Sequence, residues 1–238
     1  EASVKLRDQT LGIGASEFEL LTATAFEIFN HERVEVGVVE VGMGGRLDAT
    51  NILDNVLVSV IAKIGLDHQA MLGNSIEQIA REKAGILKPG VPCVIDGTNS
   101  PEALKAIQYR VKELQISSIF ALPDVLDMQP EALTQVFKRL DLLPHQRMNM
   151  RCAVLALKFA LSEIRPELEI DPLIAELTNV EWPGRLQNIV LEPWVPRNEP
   201  VLIDGAHNPQ SAEVLEQYVD SRLRPSRGSV TWVIAASR

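Results

Sequence analysis

Residues 38–53 read VVEVGMGGRLDATNIL, and the interpretation of the whole chain depends on this stretch. The β-rich run over residues 34–41 predicts a buried strand that carries Glu40 near its end. A buried carboxylate without a partner costs free energy, so Glu40 needs a cation or hydrogen-bond donors. A salt bridge with Arg46 and capping of loop amides are the structural alternatives to a functional role.

The glycines that follow Glu40 predict an unusual loop. Gly42, Gly44 and Gly45 permit backbone angles and close approaches that other residues resist. They indicate either a tight turn alone or a loop whose backbone contacts a ligand. Four residues with polar side chains come next, at Arg46, Asp48, Thr50 and Asn51.

Strands and helices are predicted to alternate along the chain. Capping-box pairs begin two of the helices, Ser16 with Glu19 and Ser75 with Gln78. Strands are predicted at residues 34–41, 56–62, 91–95, 116–122, 201–203 and 229–236, and helices at 16–32, 75–87, 101–114, 148–164, 172–179 and 209–223. The fold class is therefore α/β, with a mostly parallel sheet flanked by helices. Ligands of such sheets bind beyond the carboxyl ends of the strands, where the glycine loop is expected.

A change in local composition predicts a domain boundary near Gly184. Trp182-Pro183-Gly184 breaks the preceding helix, and residues 190–200 contain three prolines and are predicted to be irregular. We expect one domain over residues 1–183 and the start of a second α/β domain, truncated, over residues 184–238.

The bulk composition excludes several classes of protein. The 238 residues carry a net charge of −9, which argues against general affinity for nucleic acid or anionic lipid. No apolar run approaches the length of a membrane span. Cys93 and Cys152 form no CxxC pair, so neither a disulfide framework nor a zinc site is expected, and a reducing compartment is indicated. We expect the sequence to be truncated at both ends, since it begins at Glu1 and stops after an apolar run.

Two further segments place candidate residues near the glycine loop. GLDHQAMLG, residues 65–73, follows the second predicted strand and contains His68. REKAGI, residues 81–86, contains Lys83 on a predicted helix. Glu40 and His68 from neighbouring strand ends suit a divalent cation, although two ligands do not define a site. A structural histidine and a solvated lysine are the alternatives.

The remaining candidates lie nearer the end of the chain. Asn149 in HQRMN either caps the long helix or contacts a ligand. Arg185 in WPGR suits a phosphate because guanidinium pairs with phosphate oxygens. Asp204 and His207 belong to LIDGAHNP, which leads into a predicted helix N-terminus, a place that favours anions.

Taken together, these motifs resemble a known family. EVGMGGRLDATN, GLDHQAMLG, REKAGILKPGVP, HQRMN, WPGRLQ and DGAHNP occur in the order found in the folylpolyglutamate synthase and dihydrofolate synthase family of the Mur ligase superfamily. The resemblance extends from about residue 16 to the end of the chain. VIDGTN, residues 94–99, and SEFELLTATAFEIF, residues 16–29, resemble fungal dihydrofolate synthases in particular.

The resemblance implies a Mur ligase-type central ATPase domain, the start of a Rossmann-like domain, and roles for named residues. Glu40, His68 and Lys83 match the catalytic and Mg²⁺-binding positions, with Lys83 carbamylated so that it offers an anionic oxygen ligand. Contacts to ATP are implied for Asn149, Arg185, Asp204 and His207. The pterin pocket would be lined by Ser16, Glu17, Phe18, Glu19, Leu47, Asp48 and Ala49.

The implied reaction is ATP-dependent formation of an amide bond. The acceptor carboxylate attacks the γ-phosphate of ATP, and the glutamate amino group then displaces phosphate from the acyl phosphate. The expected partners are ATP, L-glutamate and either dihydropteroate or a folate, with no nucleic acid and no membrane. We expect a cytoplasmic monomer, with the mitochondrion as the alternative compartment.

The sequence departs from the family pattern at three places. The phosphate-binding loop of the GTNGKGS type is absent, most of the C-terminal domain is missing, and the glycine expected after LLP, residues 142–144, is not there. We therefore expect these 238 residues alone not to turn over ATP. The leading hypothesis is a dihydrofolate synthase. A folylpolyglutamate synthase, a bifunctional enzyme and a non-catalytic nucleotide-binding fragment or paralogue are the alternatives.

Overall fold

The computed structural model describes residues 1–121, 131–140, 142–179, 182–191, 200–224 and 229–235, except for the side chain of Ile119. The chain divides into two compact units, Glu1–Ala175 and Glu176–Arg238. This division falls shortly before the predicted domain boundary near Gly184, so the helical turn Glu176–Asn179 belongs to the second unit.

The first unit contains most of the regular structure. Its elements are α1 (Ala2–Leu11), α2 (Glu17–His31), a 3₁₀ turn (Ala49–Ile52), β1 (Ser59–Ile61), α3 (Gln69–Leu72), α4 (Ile76–Ala84), β2 (Cys93–Asp96), α5 (Pro101–Glu113), β3 (Ser118–Ala121), α6 (Glu131–Arg139), α7 (Pro144–Ile164) and α8 (Ile170–Ala175). Of the strand predicted over residues 116–122, Leu122 lies outside the described residues.

A three-stranded parallel sheet in the order β1-β2-β3 forms the centre of this unit. Val60 pairs with Val94, and Cys93 pairs with Ser118. Helices α3 and α4 connect β1 to β2, and α5 connects β2 to β3. The predicted parallel sheet with helical crossovers is therefore confirmed, and the segments that follow β1 and β2 lie at its carboxyl-end rim.

Helices cover both faces of the sheet. All four residues of the central strand β2 are buried, as expected for a strand packed on both sides. Successive side chains alternate between faces. Cys93 and Ile95 pack in one cluster with Ile79 and Ile107 from α4 and α5, whereas Val94 packs on the other face with Met148 and Cys152 from α7.

The predicted strand over residues 34–41 is wrong. The segment has no regular secondary structure and forms no ladder with any described strand, and Val38 is 95% exposed. A β-rich composition favours an extended backbone, but a strand also requires a neighbour to accept its hydrogen bonds, and the described residues provide none beside this segment. Glu40 consequently does not lie at the end of a buried strand.

The two predicted capping boxes have different outcomes. Ser16 and Glu19 bond reciprocally at the start of α2, and this box is confirmed. Ser75 accepts the backbone N–H of Gln78, but the Gln78 side chain accepts the N–H of Asn74 at 2.8 Å instead of that of Ser75. Only half of the second box forms, although α4 begins where the sequence predicts.

The second unit contains a short antiparallel pair and a helix. Its described elements are β4 (Gln187–Ile189), β5 (Val201–Ile203), α9 (Pro209–Tyr218) and a π-helical turn (Val219–Leu223). Gln187 pairs with Ile203, so the predicted strand at 201–203 is confirmed, while its partner β4 was not predicted. The irregular stretch predicted at 190–200 falls largely on residues 192–199, outside the described residues.

The strand predicted at residues 229–236 is not formed in its described part, residues 229–235. Val233 is 94% exposed, since no described strand pairs with this segment. Position 236 lies outside the described residues. Across the described ranges no helix is long and apolar enough to cross a bilayer.

Candidate functional site

The glycine loop packs directly against helix α4. Gly44 and Gly45 have positive φ angles of 68° and 158°. A Cβ on Gly45 would lie 2.7 Å from Ile86 Cγ2 and 3.0 Å from the carbonyl oxygens of Glu82 and Lys83. The glycines are therefore required by the close approach of the loop to the carboxyl end of α4.

Hydrogen bonds hold the loop in this position. The backbone N–H of Arg46 donates to Glu82 O at 2.9 Å, and the Asn51 side-chain amide donates to Gly85 O at 3.2 Å and to Arg46 O at 3.0 Å. The Arg46 guanidinium pairs with the Glu82 carboxylate at 3.1 Å. Arg46 is thus paired with Glu82, and the alternative in which it neutralises Glu40 is wrong.

Asp48 stabilises the loop from within. Its carboxylate accepts hydrogen bonds from Thr50 N at 2.9 Å, Thr50 Oγ1 at 2.7 Å and Met43 N at 3.0 Å. Burial alone would raise the pKa of Asp48, but the bonds from Thr50, Met43 and Gly42 outweigh it and lower the pKa. Both carboxylate oxygens are therefore used by the loop itself, and the predicted contact to a heterocycle stays a prediction.

Glu40 lies immediately before this loop and is exposed. The structure gives its carboxylate no salt bridge among the described residues. An exposed carboxylate with no internal partner is available to a ligand.

His68 begins the short helix α3 in the left-handed conformation, with φ 49°. Its backbone N–H donates to Asp67 Oδ1 at 2.8 Å, and its Nε2 lies 3.9 Å from the same oxygen. The imidazole is exposed. A left-handed backbone at a residue other than glycine is strained and is often found at functional sites.

Lys83 lies in the last turn of α4 and is half-buried. No ion pair to a described carboxylate is formed by its ammonium. A lysine can bury its stem while its ammonium stays in water, so the alternative of a solvated lysine stays open.

The segments that carry Glu40, His68 and Lys83 meet at Gly44. A Cβ on Gly44 would lie 2.7 Å from Leu72 Cδ2 in α3 and 3.9 Å from Glu82 Cβ in α4. The loop after Glu40, the helix begun by His68 and the helix of Lys83 therefore pack together.

The donor chemistry of Glu40 and His68 fits a cation that is completed by other ligands. Mg²⁺ is commonly bound through one or two carboxylates, substrate phosphates and water. Among the described residues no group of three histidine, cysteine, aspartate or glutamate side chains is assembled for a metal. These residues therefore fit a Mg²⁺ that arrives with a phosphorylated ligand better than a metal enclosed by protein.

One of the two segments predicted to line the pterin pocket, residues 16–19, contacts the glycine loop through Phe18. A Cβ on Gly42 would lie 2.8 Å from Phe18 Cε2, so the Phe18 ring covers this glycine. Phe18 is 41% and Leu47 79% exposed, so both leave apolar surface open to solvent. Ser16, Glu17 and Glu19 are exposed at the start of α2, and Ala49 begins the 3₁₀ turn.

Asn149 does not cap α7. The helix begins at Pro144, five positions earlier, with Leu143 as its N-cap. The capping alternative is therefore wrong, because the Pro at the first helical position starts the helix before HQRMN. Asn149 is exposed on the helix, while its neighbour Met148 packs against the sheet.

In the second unit, three predicted ATP-contacting residues lie around one turn. A Cβ on Gly205 would collide with the Arg185 guanidinium, so this side chain packs over the turn after β5. Asp204 accepts the N–H groups of Leu186 at 2.9 Å and Ala206 at 2.8 Å. His207 Nδ1 lies 2.8 Å from Gly205 O. Arg185, Asp204 and His207 are thus brought together.

A hydrogen-bonded network at the sheet rim was missed by the sequence reasoning. It joins Lys63, Asp96, Thr98 and Asn99 across the segments that follow β1 and β2. VIDGTN contains three of these residues and was noted only for its resemblance to fungal sequences. The signal that could have found them is a buried-strand aspartate followed by Thr and Asn, a pattern typical of side-chain-bonded turns.

Comparisons with known proteins agree with these motifs. A family model described as "Dihydrofolate synthetase, C-terminal domain" matches residues 187–238. The "Probable dihydrofolate synthetase" of Schizosaccharomyces pombe is 39% identical over 236 residues, covering 96% of this chain and 55% of that protein. The "Dihydrofolate synthetase" of Saccharomyces cerevisiae is 35% identical over 237 residues, covering 93% of this chain and 54% of that protein.

A solved structure shares the fold. The Mycobacterium tuberculosis folylpolyglutamate synthase complexed with ADP matches with a TM-score of 0.70 at 34% identity, over 90% of this chain and 49% of that one. The chain thus spans about half the length of the curated relatives that it matches.

Proposed function

Since the chain belongs to the folylpolyglutamate synthase and dihydrofolate synthase family, we propose that the protein containing it is a dihydrofolate synthase. It joins L-glutamate to 7,8-dihydropteroate at the expense of ATP, as an amide-forming ligase. The observation that carries this proposal is the packing at Gly44 of the three segments with Glu40, His68 and Lys83. The names of the two fungal relatives favour dihydropteroate as the acceptor.

The proposed chemistry proceeds in two balanced steps. A carboxylate oxygen of dihydropteroate attacks the γ-phosphorus, the bond to the β-γ bridging oxygen breaks, and ADP leaves. The glutamate amino group then attacks the acyl carbon, loses a proton, and expels phosphate. No protein nucleophile is required, so the residues act by positioning and electrostatic stabilisation.

Glu40 and His68 would hold the Mg²⁺ that accompanies ATP. When bound, this ion neutralises charge on the phosphate oxygens. Lys83 is proposed to be carbamylated, which replaces its ammonium by an anionic group beside the loop. Its partial burial and its lack of a carboxylate partner in the described part of the chain support a role other than a surface charge.

The remaining proposed contacts are those to the pterin ring and to the nucleotide. Phe18 and Leu47 offer apolar surface for a flat pterin ring, while Asp48 keeps the loop in shape. Arg185 offers a guanidinium to phosphate, and Asn149, Asp204 and His207 are proposed to contact the nucleotide. Because both Asp204 oxygens already accept backbone N–H groups, its contact would use the remaining lone pairs.

We place this protein in the cytoplasm as a monomer, with the mitochondrion as the alternative compartment. Both cysteines are buried free thiols, which suits a reducing compartment. Size-exclusion chromatography of the full-length protein at several concentrations tests the monomer.

The deciding experiment measures phosphate release by the full-length protein with Mg²⁺, ATP and L-glutamate, using dihydropteroate or tetrahydrofolate as acceptor. Release that depends on dihydropteroate supports the proposal. Release only with tetrahydrofolate assigns a folylpolyglutamate synthase, release with both assigns a bifunctional enzyme, and release with neither assigns a non-catalytic protein.

Variants connect the activity to the site. Glu40→Gln should lower kcat/KM about 100-fold or more, the range for loss of one electrostatic contact to a transferring group. Glu77→Gln, an exposed carboxylate on α4, is the matched control and should retain activity. Mass spectrometry of the Lys83 peptide, with and without added bicarbonate, tests carbamylation separately.

A further inference from the structure

The rim of the parallel sheet contains a lysine held in place by a buried polar network. Asn99 is 5% exposed and joins the segments after β1 and β2, because its side chain accepts Ile64 N at 2.7 Å and donates to Ala62 O at 3.1 Å. The same amide donates to Asp96 O at 2.9 Å. These bonds fix the position of Lys63, which lies between Ala62 and Ile64.

Thr98 connects this lysine to a buried carboxylate. Asp96 is 2% exposed and accepts Thr98 N at 2.8 Å and Thr98 Oγ1 at 2.6 Å. The single hydroxyl hydrogen of Thr98 is therefore used on Asp96, and its oxygen is left to accept. Lys63 Nζ donates to that oxygen at 3.2 Å and also to Thr98 O.

The charge of Lys63 is only partly satisfied by these contacts. Both acceptors on Thr98 are neutral oxygens, and Lys63 forms no ion pair within the part of the chain that the structure describes. An ammonium has three donors, so one remains after Thr98 has taken two. Lys63 is exposed, and the remaining donor can reach a ligand.

The position of this donor indicates what it binds. It follows β1 at the carboxyl-end rim, where ligands of parallel sheets bind, and it shares with His68 the segment between β1 and α3. We infer that Lys63 binds an anionic oxygen of a reactant, either the acceptor carboxylate or a phosphate of ATP. This inference rests on the proposed function and adds a binding residue to that site.

The kinetic test compares Lys63→Met with Lys63→Arg in the full-length protein. Loss of one charge-assisted hydrogen bond should lower kcat/KM about 10- to 100-fold for the reactant that Lys63 contacts, and Lys63→Arg should restore part of it. A raised KM for dihydropteroate identifies the carboxylate, whereas a raised KM for ATP identifies the phosphate. Lys105→Met, an exposed lysine on α5, is the control and should be unchanged.

Thr98→Val tests how the lysine is positioned. It keeps the charge of Lys63 but removes its hydroxyl acceptor, so it should give a smaller loss in the same kinetic parameter than Lys63→Met. The melting temperature of each variant is measured alongside. If Lys63→Met lowers the melting temperature but leaves every KM and kcat unchanged, Lys63 stabilises the fold without binding a reactant, and the inference is overturned.

A binding measurement separates failure of this inference from failure of the proposed function. The ε-methylene groups of the lysines are observed by NMR in uniformly ¹³C-labelled protein, with Lys63 assigned by the signal that Lys63→Met lacks. The probes are p-aminobenzoate and a non-hydrolysable ATP analogue. A shifted Lys63 signal in a protein without turnover supports the anion site and refutes the ligase, whereas turnover with an unmoved signal and unchanged Lys63→Met kinetics refutes the anion site.

Discussion

The guanidinium of Arg46 lies against the carboxylate of Glu82, with Nε 3.1 Å from both carboxylate oxygens and Nη2 3.1 Å from one of them. This pair joins the glycine loop to the helix that carries Lys83. The backbone hydrogen bond from Arg46 N to Glu82 O at 2.9 Å also joins the glycine loop to this helix.

Arg46→Ala should therefore destabilise the protein only slightly. The Arg46 side chain is 56% exposed, and exposed ion pairs contribute about 0–1 kcal/mol. A double-mutant cycle of Arg46→Ala with Glu82→Ala, followed by urea unfolding, measures the coupling free energy. The exposed pair Arg81 and Glu77 on the same helix is the reference, and a coupling above about 2 kcal/mol for Arg46 and Glu82 would contradict this expectation.

Gly45→Ala should be far more damaging. Its Cβ would meet two backbone carbonyl oxygens and Ile86 Cγ2 at a positive φ, so overpacking and backbone strain together should cost about 2–4 kcal/mol. Gly90→Ala is the matched control, since Gly90 has φ 74° with no atom within 4 Å of an added Cβ. That change should cost about 1–2 kcal/mol of backbone strain. Equal losses in urea unfolding would show that the contact with α4 is unimportant.

Stability should depend on pH through Asp48. Its folded pKa is lowered, so its contribution is fully present above the unfolded value of about 3.9 and is lost as the pH falls through the folded pKa. Wild type should exceed Asp48→Asn in unfolding free energy at pH 7, and the difference should shrink below about pH 4. A difference that is constant from pH 7 to pH 3 would show that the ionised carboxylate does not stabilise the loop.

The two cysteines should resist thiol reagents. Burial raises the pKa of Cys93 to about 11, and burial with the nearby charge of Asp96 raises the pKa of Cys152 to about 12. Since the thiolate is the nucleophile, a disulfide reagent at pH 8 should react only after unfolding. These raised values stabilise the fold below the unfolded pKa of about 8.5, and this stabilisation declines as the pH rises above it. Rapid labelling of the native protein would contradict the burial of both thiols.

Local patterns predicted much of the first unit correctly. The predicted strand over residues 91–95 contains most of β2, and the Ser16 box identified the start of α2, because these signals depend on neighbours along the chain. The strand predicted at residues 34–41 is wrong for the complementary reason. Strand formation depends on a partner that the segment's own composition cannot reveal.

The candidate functional residues show the same difference between what local sequence predicts and what contacts between distant segments decide. The motifs pointed to Glu40, His68 and Lys83 individually, and the structure adds the packing of their segments at Gly44. The alternative that paired Arg46 with Glu40 is wrong, because a salt bridge depends on which side chains lie close in space. The Lys63 network was missed because its members come from two segments that only the pairing of β1 with β2 brings together.

The sequence by itself determined the α/β class, the starts of α2, α5 and α9, and the presence of a glycine loop, because periodicity, capping and backbone freedom act over a few neighbouring residues. The tertiary structure alone decided that the loop packs on α4, that Asp48 is bonded within it, and that Lys63 is fixed at the rim. Each of these depends on contacts between residues distant in the chain, and such contacts form only when the parallel strands and their helices have packed.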